Sequence, residues 1–589
     1  MLRFAYLGLA ISVLYAESLP RPEHPEPQFE RAQWLSLNGP WEFELDSSAT
    51  PPARFARSIT VPFCPESKLG GIGDPSFHSS MWYRRSFTVP ADWKGKRVLL
   101  HFGAVNYWTS VWVNGAMAGR HEGGNTPFTF DVTNLLNAGG NTVAVHAEYP
   151  PTDRYIPRGK QFWEPKSRGI FYTRTTGIWQ TVWLEPVSES HIESIKITPN
   201  MDGLASIYAH IAGARPGLAL RTTMSYGGKA VVTTSVTAEN PRVATSVTVD
   251  DPKLWSPGSP NLYDATLELI ERDRVVDRVK SYLGFRSVWT ENGKVFLNGR
   301  PIFLKMVLDQ GYWPDSILTP PSDDAIQYDI RMTKDMGFNG ARKHQKLEDP
   351  RYLYWADKMG LLVSSEMANA YLFDDQAVER FTREWIDAVA RDYNHPSIII
   401  WAPLNESWGV PNLRDPRQQD YLKELYTLTH AFDNTRLVID NEGWEHTNMT
   451  DLFAIHDYAR TGELLAEKYK DLGKPGAGVP DNGRPALAPG YKYNGTPVVL
   501  SEFGGVAYIP RGHEVPPESW GYSGVEKSED AALERLRGLF TGITRVPGFA
   551  GLCYTQLTDV EQEINGLLTY DRKPKFDVRQ IHEINALVK

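Results

Sequence analysis

The sequence predicts a multidomain protein in which two β-sandwiches, a jelly roll and then an immunoglobulin-like fold, precede a (β/α)8 TIM barrel. The first supporting observation is length, because 589 residues exceed the size of one compact domain. The second is a long N-terminal region of short strands separated by turns, without a helical period. The third is a change near residue 286, after which continuous apolar strands alternate with amphipathic helices.

Residues 1–16 have the pattern of a secretory signal peptide. Arg3 provides a positive start, residues 4–15 form an apolar run too short to span a bilayer, and Ala16 is a small residue at the cleavage position. The alternatives are a buried N-terminal helix or a retained anchor. The pattern predicts a secreted or periplasmic protein, and residues 17–27, rich in Pro and Glu, are expected to form a linker.

The two sandwiches are predicted at 28–187 and 188–285. Residues 110–115 are typical of the first, because an apolar strand ends there in an Asn-Gly turn. Recurring strands without helices favour a jelly roll. The second region is about 100 residues long, with turn signals every ten to fifteen residues, which suits an immunoglobulin-like sandwich.

The barrel is predicted at 286–589, from eight units of strand and helix. Runs such as Ile398-Ile399-Ile400 are continuous rather than alternating, as expected for parallel strands buried on both faces. An open parallel sheet is the alternative, and no Gly-rich phosphate turn supports it. The predicted strands are 301–308, 337–344, 361–367, 398–406, 437–442, 452–458, 497–502 and 551–557.

Composition excludes some classes of partner. The formal net charge is −9 and no stripe of Lys or Arg occurs, so nucleic acid is not expected. Beyond the N-terminus no segment reaches about 18 apolar residues, so we expect no membrane span. The 18 Trp and 27 Tyr suit both sugar binding and core packing. The sequence leaves the oligomeric state open.

Two predicted barrel strands end in a carboxylate. The fourth ends at Glu406 and the seventh at Glu502. Chemistry in such barrels lies at the carboxyl ends of the strands, so the two side chains are expected to face each other. Two facing carboxylates are the minimum set of catalytic groups for glycoside hydrolysis. No His-x-x-x-His motif or Cys pair accompanies them, so we expect no metal and no cofactor.

The segment 394–407 (NHPSIIIWAPLNES) closely resembles the acid/base signature of glycoside hydrolase family 2, which includes β-galactosidases, β-glucuronidases and β-mannosidases. Shorter matches follow the family's order along essentially the whole mature chain: 37–41 (LNGPW), 81–85 (MWYRR), 159–161 (GKQ), 176–180 (TGIWQ) and 296–301 (FLNGRP). The resemblance implies a retaining glycosidase with Glu406 as general acid/base and Glu502 as nucleophile.

Further site residues are implied at matching positions. Asn405 would bond the sugar 2-hydroxyl, and Arg342 would keep the nucleophile ionised. Tyr458, which follows His456 at the sixth strand end, would hydrogen-bond the nucleophile. The remaining substrate-binding positions are a sugar-facing histidine and three pocket-wall residues: His344, Asp309, Tyr554 and Gln556.

One departure bears on the substrate. Glucuronidases of the family carry Asn-x-Lys just before the Gly that follows the eighth strand, and this chain has Glu563-Ile564-Asn565-Gly566. Without the lysine a uronic acid would lose its cationic partner, so a neutral sugar is expected. The prediction is a secreted retaining exo-β-glycosidase, with β-galactosidase as the leading example, acting on an oligosaccharide or other glycoside. The alternatives are an endo-acting polysaccharide hydrolase and a catalytically silent carbohydrate-binding protein.

Overall fold

The computed structural model describes residues 19–589, so the predicted signal peptide lies outside the described residues. The chain forms two β-sandwiches and a parallel barrel, which confirms the predicted fold class. Within residues 19–589, no helix combines the length and the apolar character that crossing a membrane requires.

The first sandwich pairs a six-stranded antiparallel sheet with a four-stranded one. Alternate residues along Arg97–Phe102 and Trp108–Val113 are buried, as expected when one face of each strand points into the sandwich. The larger sheet has the strand order Arg57–Val61, Gly39–Glu44, Ser80–Thr88, Gly140–Glu148, Trp108–Val113, Ala116–Glu122. The smaller sheet has the order Leu35–Ser36, Val182–Val187, Arg97–Phe102, Phe128–Asp131.

The second sandwich has the three-plus-four strand arrangement of a small immunoglobulin-like domain. One sheet contains His191–Pro199, Leu204–Ala212 and Arg242–Thr248. The other has the order Lys229–Thr237, Leu218–Tyr226, Tyr263–Glu271, Arg274–Leu283. A short antiparallel sheet of Val288–Glu291, Lys294–Leu297 and Arg300–Ile302 then leads into the barrel.

Eight parallel strands form the barrel, with the ladder order β5-β4-β3-β2-β1-β8-β7-β6. The strands are β1 (Leu304–Asp309), β2 (Gly340–Lys343), β3 (Leu362–Glu366), β4 (Ile398–Ala402), β5 (Leu437–Val438), β6 (Phe453–Asp457), β7 (Val498–Gly504) and β8 (Phe549–Thr555). The two ends of the ladder approach each other through backbone bonds from Asp451 N to Val438 O, at 2.9 Å, and from His456 N to Gly443 O, at 3.3 Å.

Within residues 19–589, seven α-helices surround the strands: α1 (Asp323–Asp335), α2 (Pro350–Met359), α3 (Asp375–Asp392), α4 (Pro416–Phe432), α5 (Gly462–Lys468), α6 (Glu529–Thr544) and α7 (Val578–Asn585). Each begins after a Ser, Thr or Asp whose side chain accepts a hydrogen bond from the first turn. Successive residues of a barrel strand point to opposite faces of the sheet. In β1, for example, Met306 packs inside the barrel and Val307 packs toward the helices.

Two strands are shorter than the sequence predicts. The fourth ends at Ala402 rather than at Glu406, and the fifth ends at Val438 rather than at Glu442. Beyond those two strand ends, polar side chains rather than a neighbouring strand bond the backbone N–H groups. Asp440, for example, accepts from the backbone N–H groups of Asn441 and Thr447.

The segment 19–31 is packed, although part of it is expected to be a linker. Arg21 is 4% exposed and lies 3.1 Å from Asp349 of the barrel. Arg31 lies 3.1 Å from Glu185 of the first sandwich and 3.0 Å from Asp277 of the second. These partners are distant in sequence, so a local composition rich in Pro and Glu could not reveal them.

Candidate active site

Two glutamates meet at the barrel mouth, the end at which the strands' carboxyl termini lie. Glu406 follows β4 and Glu502 lies within β7. One carboxylate oxygen of each, together with one ring nitrogen of His456, lie within 4.8 Å of one another. The structure therefore brings together the two residues that the strand ends single out.

The backbone is turned sharply at Glu406. Glu406 and Ser407 have φ angles of +53° and +58°, in the left-handed region that residues other than glycine seldom adopt. The connection after β5 holds this turn, because Glu406 N donates to Glu442 O at 2.8 Å and Ser407 N donates to Asn441 Oδ1 at 2.9 Å. Such conformations cost roughly 1–3 kcal/mol each and persist where surrounding contacts fix them. The bonds from the connection after β5 thus hold the strained turn at Glu406 in place.

Glu502 is buried among hydrogen-bond donors. Arg342 Nη1 donates to its Oε1 at 2.8 Å, and the Tyr458 hydroxyl donates to its Oε2 at 2.5 Å. Burial alone would raise the pKa of Glu502, but the neighbouring His456 and Arg342 outweigh burial and lower the pKa well below its ordinary value. Glu502 is therefore ionised across the neutral range.

Arg342 connects several site residues. Its Nη2 donates to Asn405 Oδ1 at 2.6 Å and its Nε donates to Glu366 Oε2 at 2.9 Å. The other end of the Asn405 amide, Nδ2, has no hydrogen-bond partner among residues 19–589. A buried unpaired donor beside two carboxylates suits a hydroxyl-bearing ligand.

His456 lies between the two glutamates. Its Nδ1 is 3.0 Å from Glu406 Oε1, and its Nε2 is 3.4 Å from Glu502 Oε1. His344 lies behind Arg342, with its Nδ1 3.1 Å from Arg342 Nη2. Burial lowers the pKa of His344, so its imidazole is neutral at pH 7.

Two further glutamates, Glu366 and Glu442, enter this network. Burial raises the pKa of Glu442, whereas the pKa of Glu366 is lowered because Arg342 and His344 outweigh burial. Neither residue was singled out from the sequence as a site residue. Both carry the same local signal as Glu406, because each follows an apolar run, Leu361-Leu362-Val363 and Leu437-Val438-Ile439.

Two predicted pocket-wall residues are held elsewhere. Asp309 pairs with Lys343 and accepts from Gly311 N at 2.8 Å. The Tyr554 hydroxyl accepts from Val506 N at 3.2 Å, and its ring is 1% exposed. Neither contacts the glutamate pair among the described residues, because each side chain is already engaged in the barrel's own packing.

Gln556 is also enclosed by protein groups. Its Nε2 donates to Asn565 Oδ1 at 2.9 Å and to Glu563 Oε1 at 3.3 Å, and its Oε1 accepts from Gln310 Nε2 at 3.0 Å. Gln556 therefore supports the wall of the mouth on the β8 side rather than presenting a free amide.

An aromatic cluster lines another side of the mouth. Trp163 and Phe171, from a loop of the first sandwich, pack against Tyr371, with ring centroids at 4.7 and 5.3 Å. Tyr371 in turn lies 4.9 Å from Trp408, two residues after Glu406. The first sandwich thus contributes aromatic side chains that pack next to the turn carrying Glu406.

Glu406, His456 and Glu502 are also the residues that could hold a metal ion, since their ligand atoms lie within 4.8 Å of one another. Arg342 already pairs with one oxygen of Glu502, so a metal ion bound there would be repelled by the positive charge of the guanidinium. The arrangement fits acid/base and nucleophilic chemistry by the side chains themselves.

Three family models match the chain in succession. They are "Glycosyl hydrolases family 2, sugar binding domain" at 72–173, "Glycosyl hydrolases family 2" at 190–286 and "Glycosyl hydrolases family 2, TIM barrel domain" at 288–520. Together they cover most of the chain, in the order of the three folded parts.

Curated relatives with matching sequences carry different names. A putative β-glucuronidase of Formosa agariphila is 29% identical over 394 residues, which is 64% of this chain and 34% of the relative. A β-galactosidase of Thermoanaerobacter pseudethanolicus is 28% identical over 375 residues, which is 60% of this chain and 47% of the relative. The chain thus spans about a third to a half of the length of the curated relatives it matches.

Solved structures share the fold over nearly the whole chain. The β-glucuronidase of Bifidobacterium dentium matches with a TM-score of 0.77 at 22% identity, covering 94% of this chain and 97% of that one. The β-galacturonidase of Eisenbergiella tayi matches with a TM-score of 0.74 at 20% identity, covering 97% and 99%. With three successive models of one family matched, the chain belongs to glycosyl hydrolases family 2.

Proposed function

We propose that the protein is a retaining exo-β-glycosidase. It hydrolyses the β-glycosidic bond of a terminal neutral sugar residue, with β-galactosides as the first candidate substrates. The observation that carries the proposal is the approach of Glu406 and Glu502 to within 4.8 Å. Retaining enzymes hold their carboxyl groups about 5–5.5 Å apart, whereas inverting enzymes need about 6.5–9.5 Å for a water molecule. The observed spacing supports retention.

In the first step Glu502 attacks the anomeric carbon while Glu406 gives a proton to the departing oxygen. The bond to the leaving group breaks, and its electron pair stays on that oxygen. The lowered pKa of Glu502 supports the nucleophile's role, because the attacking carboxylate must be ionised. Glu406 is the more exposed of the two, with 16% of its side chain accessible against 6% for Glu502. It can therefore reach both the leaving group and water.

In the second step Glu406 accepts a proton from water, which attacks the anomeric carbon and releases Glu502. Two inversions leave the configuration unchanged. Asn405 Nδ2, which has no partner among the described residues, is available to the sugar 2-hydroxyl. Arg342 fixes this amide by bonding its oxygen.

Exo action is the form we propose, because an aromatic cluster from another domain stands beside the pair. Trp163 and Phe171 of the first sandwich pack on Tyr371, which packs on Trp408 two residues after Glu406. A polysaccharide chain passing through the site would need an open cleft instead. Uronides are the second candidates, because some relatives carry the name β-glucuronidase.

The testing experiment is a panel of 4-nitrophenyl β-galactoside, β-glucoside, β-mannoside, β-xyloside and β-glucuronide, with Glu502→Gln as the blank. Turnover of one β-glycoside that the blank lacks supports the proposal. The anomer formed first, followed by proton NMR, distinguishes retention from inversion. An α-configured first product from a β-glycoside would exclude the retaining mechanism.

We also propose that the protein is exported, on the basis of the signal-peptide pattern at 1–16. Expression of the full chain in a bacterial host, followed by intact-mass measurement of the secreted or periplasmic fraction, tests this. A mass lower by residues 1–16 supports export, and an unprocessed chain in the cytoplasm contradicts it.

A further inference from the structure

A loop of the first sandwich is docked on two strand ends of the barrel. The backbone N–H groups of Arg158 and Gly159 both donate to Asn369 O at 3.1 Å, beyond the end of β3. The carbonyl oxygen of Gly159 accepts from the Tyr371 hydroxyl at 2.5 Å. A Cβ atom on Gly159, whose φ is +57°, would lie 2.2 Å from Gln345 O beyond β2, so this close approach requires glycine.

The conformation of this loop is braced from within the first sandwich. Arg158 is 1% exposed. Its guanidinium donates to Gln161 O at 2.9 Å, to Pro151 O at 2.8 Å and to the Tyr149 hydroxyl at 2.9 Å. All three acceptors belong to the chain of the first sandwich, so the loop that meets Asn369 is held on the sandwich side as well as on the barrel side.

The side chain of Asn369 takes the place of a strand beside the segment that follows β4. Its Nδ2 donates to Pro403 O at 2.9 Å, and its Oδ1 accepts from Asn405 N at 2.8 Å. A residue of a neighbouring parallel strand bonds its partner in the same way, through one carbonyl and the N–H group two residues further on. Since β3 ends at Glu366 and β4 at Ala402, this side-chain amide extends the ladder past both strand ends.

The connection after β5 holds the same segment from its other side. Glu442 N donates to Leu404 O at 2.8 Å, and Glu442 O accepts from Glu406 N at 2.8 Å. Residues 403–406 therefore lie between the Glu442 backbone and the Asn369 side chain, like a short strand between two neighbours. Of these two supports, Asn369 is the one that also bonds the docked loop.

We propose that Asn369 is a positioning residue, through which docking of the first sandwich fixes the segment that carries Asn405 and Glu406. Asn369 is fully buried, its carbonyl oxygen bonds the loop, and its side chain bonds Asn405 N. A shift of the loop would therefore move the Asn405 amide relative to the sugar 2-hydroxyl that we propose it binds. The inference rests on the proposed glycosidase function and deepens it, because it gives the first sandwich a role in orienting the site.

Asn405 is the residue through which this coupling can be measured. Its Oδ1 is held by Arg342 and its backbone N–H by Asn369, and its Nδ2 has no partner among residues 19–589. A hydrogen bond to the 2-hydroxyl strengthens in the transition state, so it contributes to kcat/KM. A misplacement of about 1 Å can cost about 10²-fold in rate. Loss of rate through Asn369 should therefore depend on the presence of the 2-hydroxyl.

The test compares kcat/KM for the 4-nitrophenyl β-glycoside that the wild type cleaves fastest with kcat/KM for its 2-deoxy analogue. We expect Asn369→Ala to lower kcat/KM for the hydroxylated substrate about 10- to 100-fold. The ratio of the two values should fall by at least about 10-fold. Gly159→Ala, which keeps the Asn369 side chain but displaces the loop, should lower the same ratio by at least about 3-fold.

Two matched controls separate this coupling from general damage to the fold. Gly115→Ala also places a side chain at a positive φ in the first sandwich, +83°. There a Cβ atom would meet no heavy atom of residues 19–589 within 4 Å, apart from its chain neighbours. Asn585→Ala removes an asparagine that is equally buried but lies at the end of α7. Both controls should keep the wild-type ratio, and thermal unfolding shows whether each variant is folded.

The outcomes separate the inference from the function on which it rests. If folded Asn369→Ala loses the same factor on both substrates, or if Gly159→Ala keeps the wild-type ratio, the positioning role is wrong and the glycosidase function stands. A wild type that cleaves both substrates equally well would mean the same. If Asn369→Ala does not fold or cleaves neither substrate, the ratio in Gly159→Ala decides. A wild type that cleaves no glycoside overturns the function, and the inference with it.

Discussion

The guanidinium of Arg342 donates a hydrogen bond of 2.8 Å to the carboxylate of Glu502, and both side chains are buried. The same guanidinium orients Asn405, so one cation sets the charge of the proposed nucleophile and the direction of a sugar-facing amide. Removing this cation should therefore raise the pKa of Glu502 and also shift the amide of Asn405 that we propose binds the sugar.

Arg342→Met should lower kcat by about 10²–10⁴-fold and shift the acid limb of the kcat/KM profile to higher pH. In the wild type the folded pKa of Glu502 lies below its ordinary value of 4.5, so the carboxylate stays charged through mild acid. Stability from this pairing is present above that value and is lost as pH falls. Aryl-glycoside rates from pH 4 to 9 measure the shift. Arg351→Met, which removes a pair with Asp323 outside the site, is the control. An unmoved acid limb in folded Arg342→Met would contradict this role.

Glu406→Ala should slow natural glycosides far more than 4-nitrophenyl glycosides. A nitrophenolate departs with little protonation, whereas a sugar hydroxyl needs the proton that we propose Glu406 supplies. Rates on a disaccharide and on the matching aryl glycoside, each compared with wild type, give the two losses. Equal losses on both substrates speak against an acid role. Glu379→Ala, an exposed glutamate of α3, should change neither rate.

Asn441→Ala tests whether the side chain of Asn441, which follows β5, stabilises the turn at Glu406. The side chain of Asn441 accepts from Ser407 N at 2.9 Å and donates to Ser407 Oγ at 3.0 Å. Its loss should lower kcat while KM stays nearly constant, and should cost about 1–3 kcal/mol of stability. Steady-state kinetics and urea unfolding measure both effects, with exposed Asn448→Ala as the control. Unchanged kcat in Asn441→Ala would show that the turn needs no such support.

The contact between α3 and the first sandwich should weaken as pH rises. Glu384 is buried, and it accepts from the backbone N–H groups of Gly124 and Asn125, both at 3.1 Å. Burial raises the pKa of Glu384 to about 7 despite these bonds. Because the folded state then binds a proton that the unfolded chain releases above its ordinary pKa of 4.5, stability falls as pH rises from about 4.5 to 7.

Glu384→Gln should remove this part of the pH dependence, on the order of 1–3 kcal/mol between pH 5 and 8. Urea unfolding of the variant and the wild type at the two pH values gives the difference. Glu379→Gln on the exposed face of the same helix should follow the wild type. If the stability of Glu384→Gln changed between the two pH values as much as that of the wild type, the pKa of Glu384 would not be raised in the folded protein.

The fold and the proposed catalytic pair follow from local features of the sequence. Continuous apolar strands predict a barrel buried on both faces, and carboxylates after two of them predict their meeting at the mouth. The bend at Glu406 was not predictable in the same way. It depends on Asn441 and Glu442, which lie about one strand–helix unit further along and bond to the turn only in the folded barrel.

The contribution of the first sandwich to the site was the least predictable part. Trp163 and Phe171 lie about 200 positions before Tyr371, against which they pack, and no periodicity connects them. The motif 159–161 pointed only to the end of that domain. Its Gly159 carries the physical signal, because the close approach to Gln345 O becomes visible only once the loop is docked on the barrel.

The most direct test of the account is covalent labelling by a 2-deoxy-2-fluoro β-glycoside with a good leaving group, made from whichever sugar the panel identifies. The fluorine slows breakdown of a glycosyl-enzyme intermediate, so the adduct can be located by peptide mass spectrometry. The account predicts one sugar per chain, attached to Glu502 and lost in Glu502→Gln. An active enzyme that forms no adduct and releases an inverted first product would contradict it.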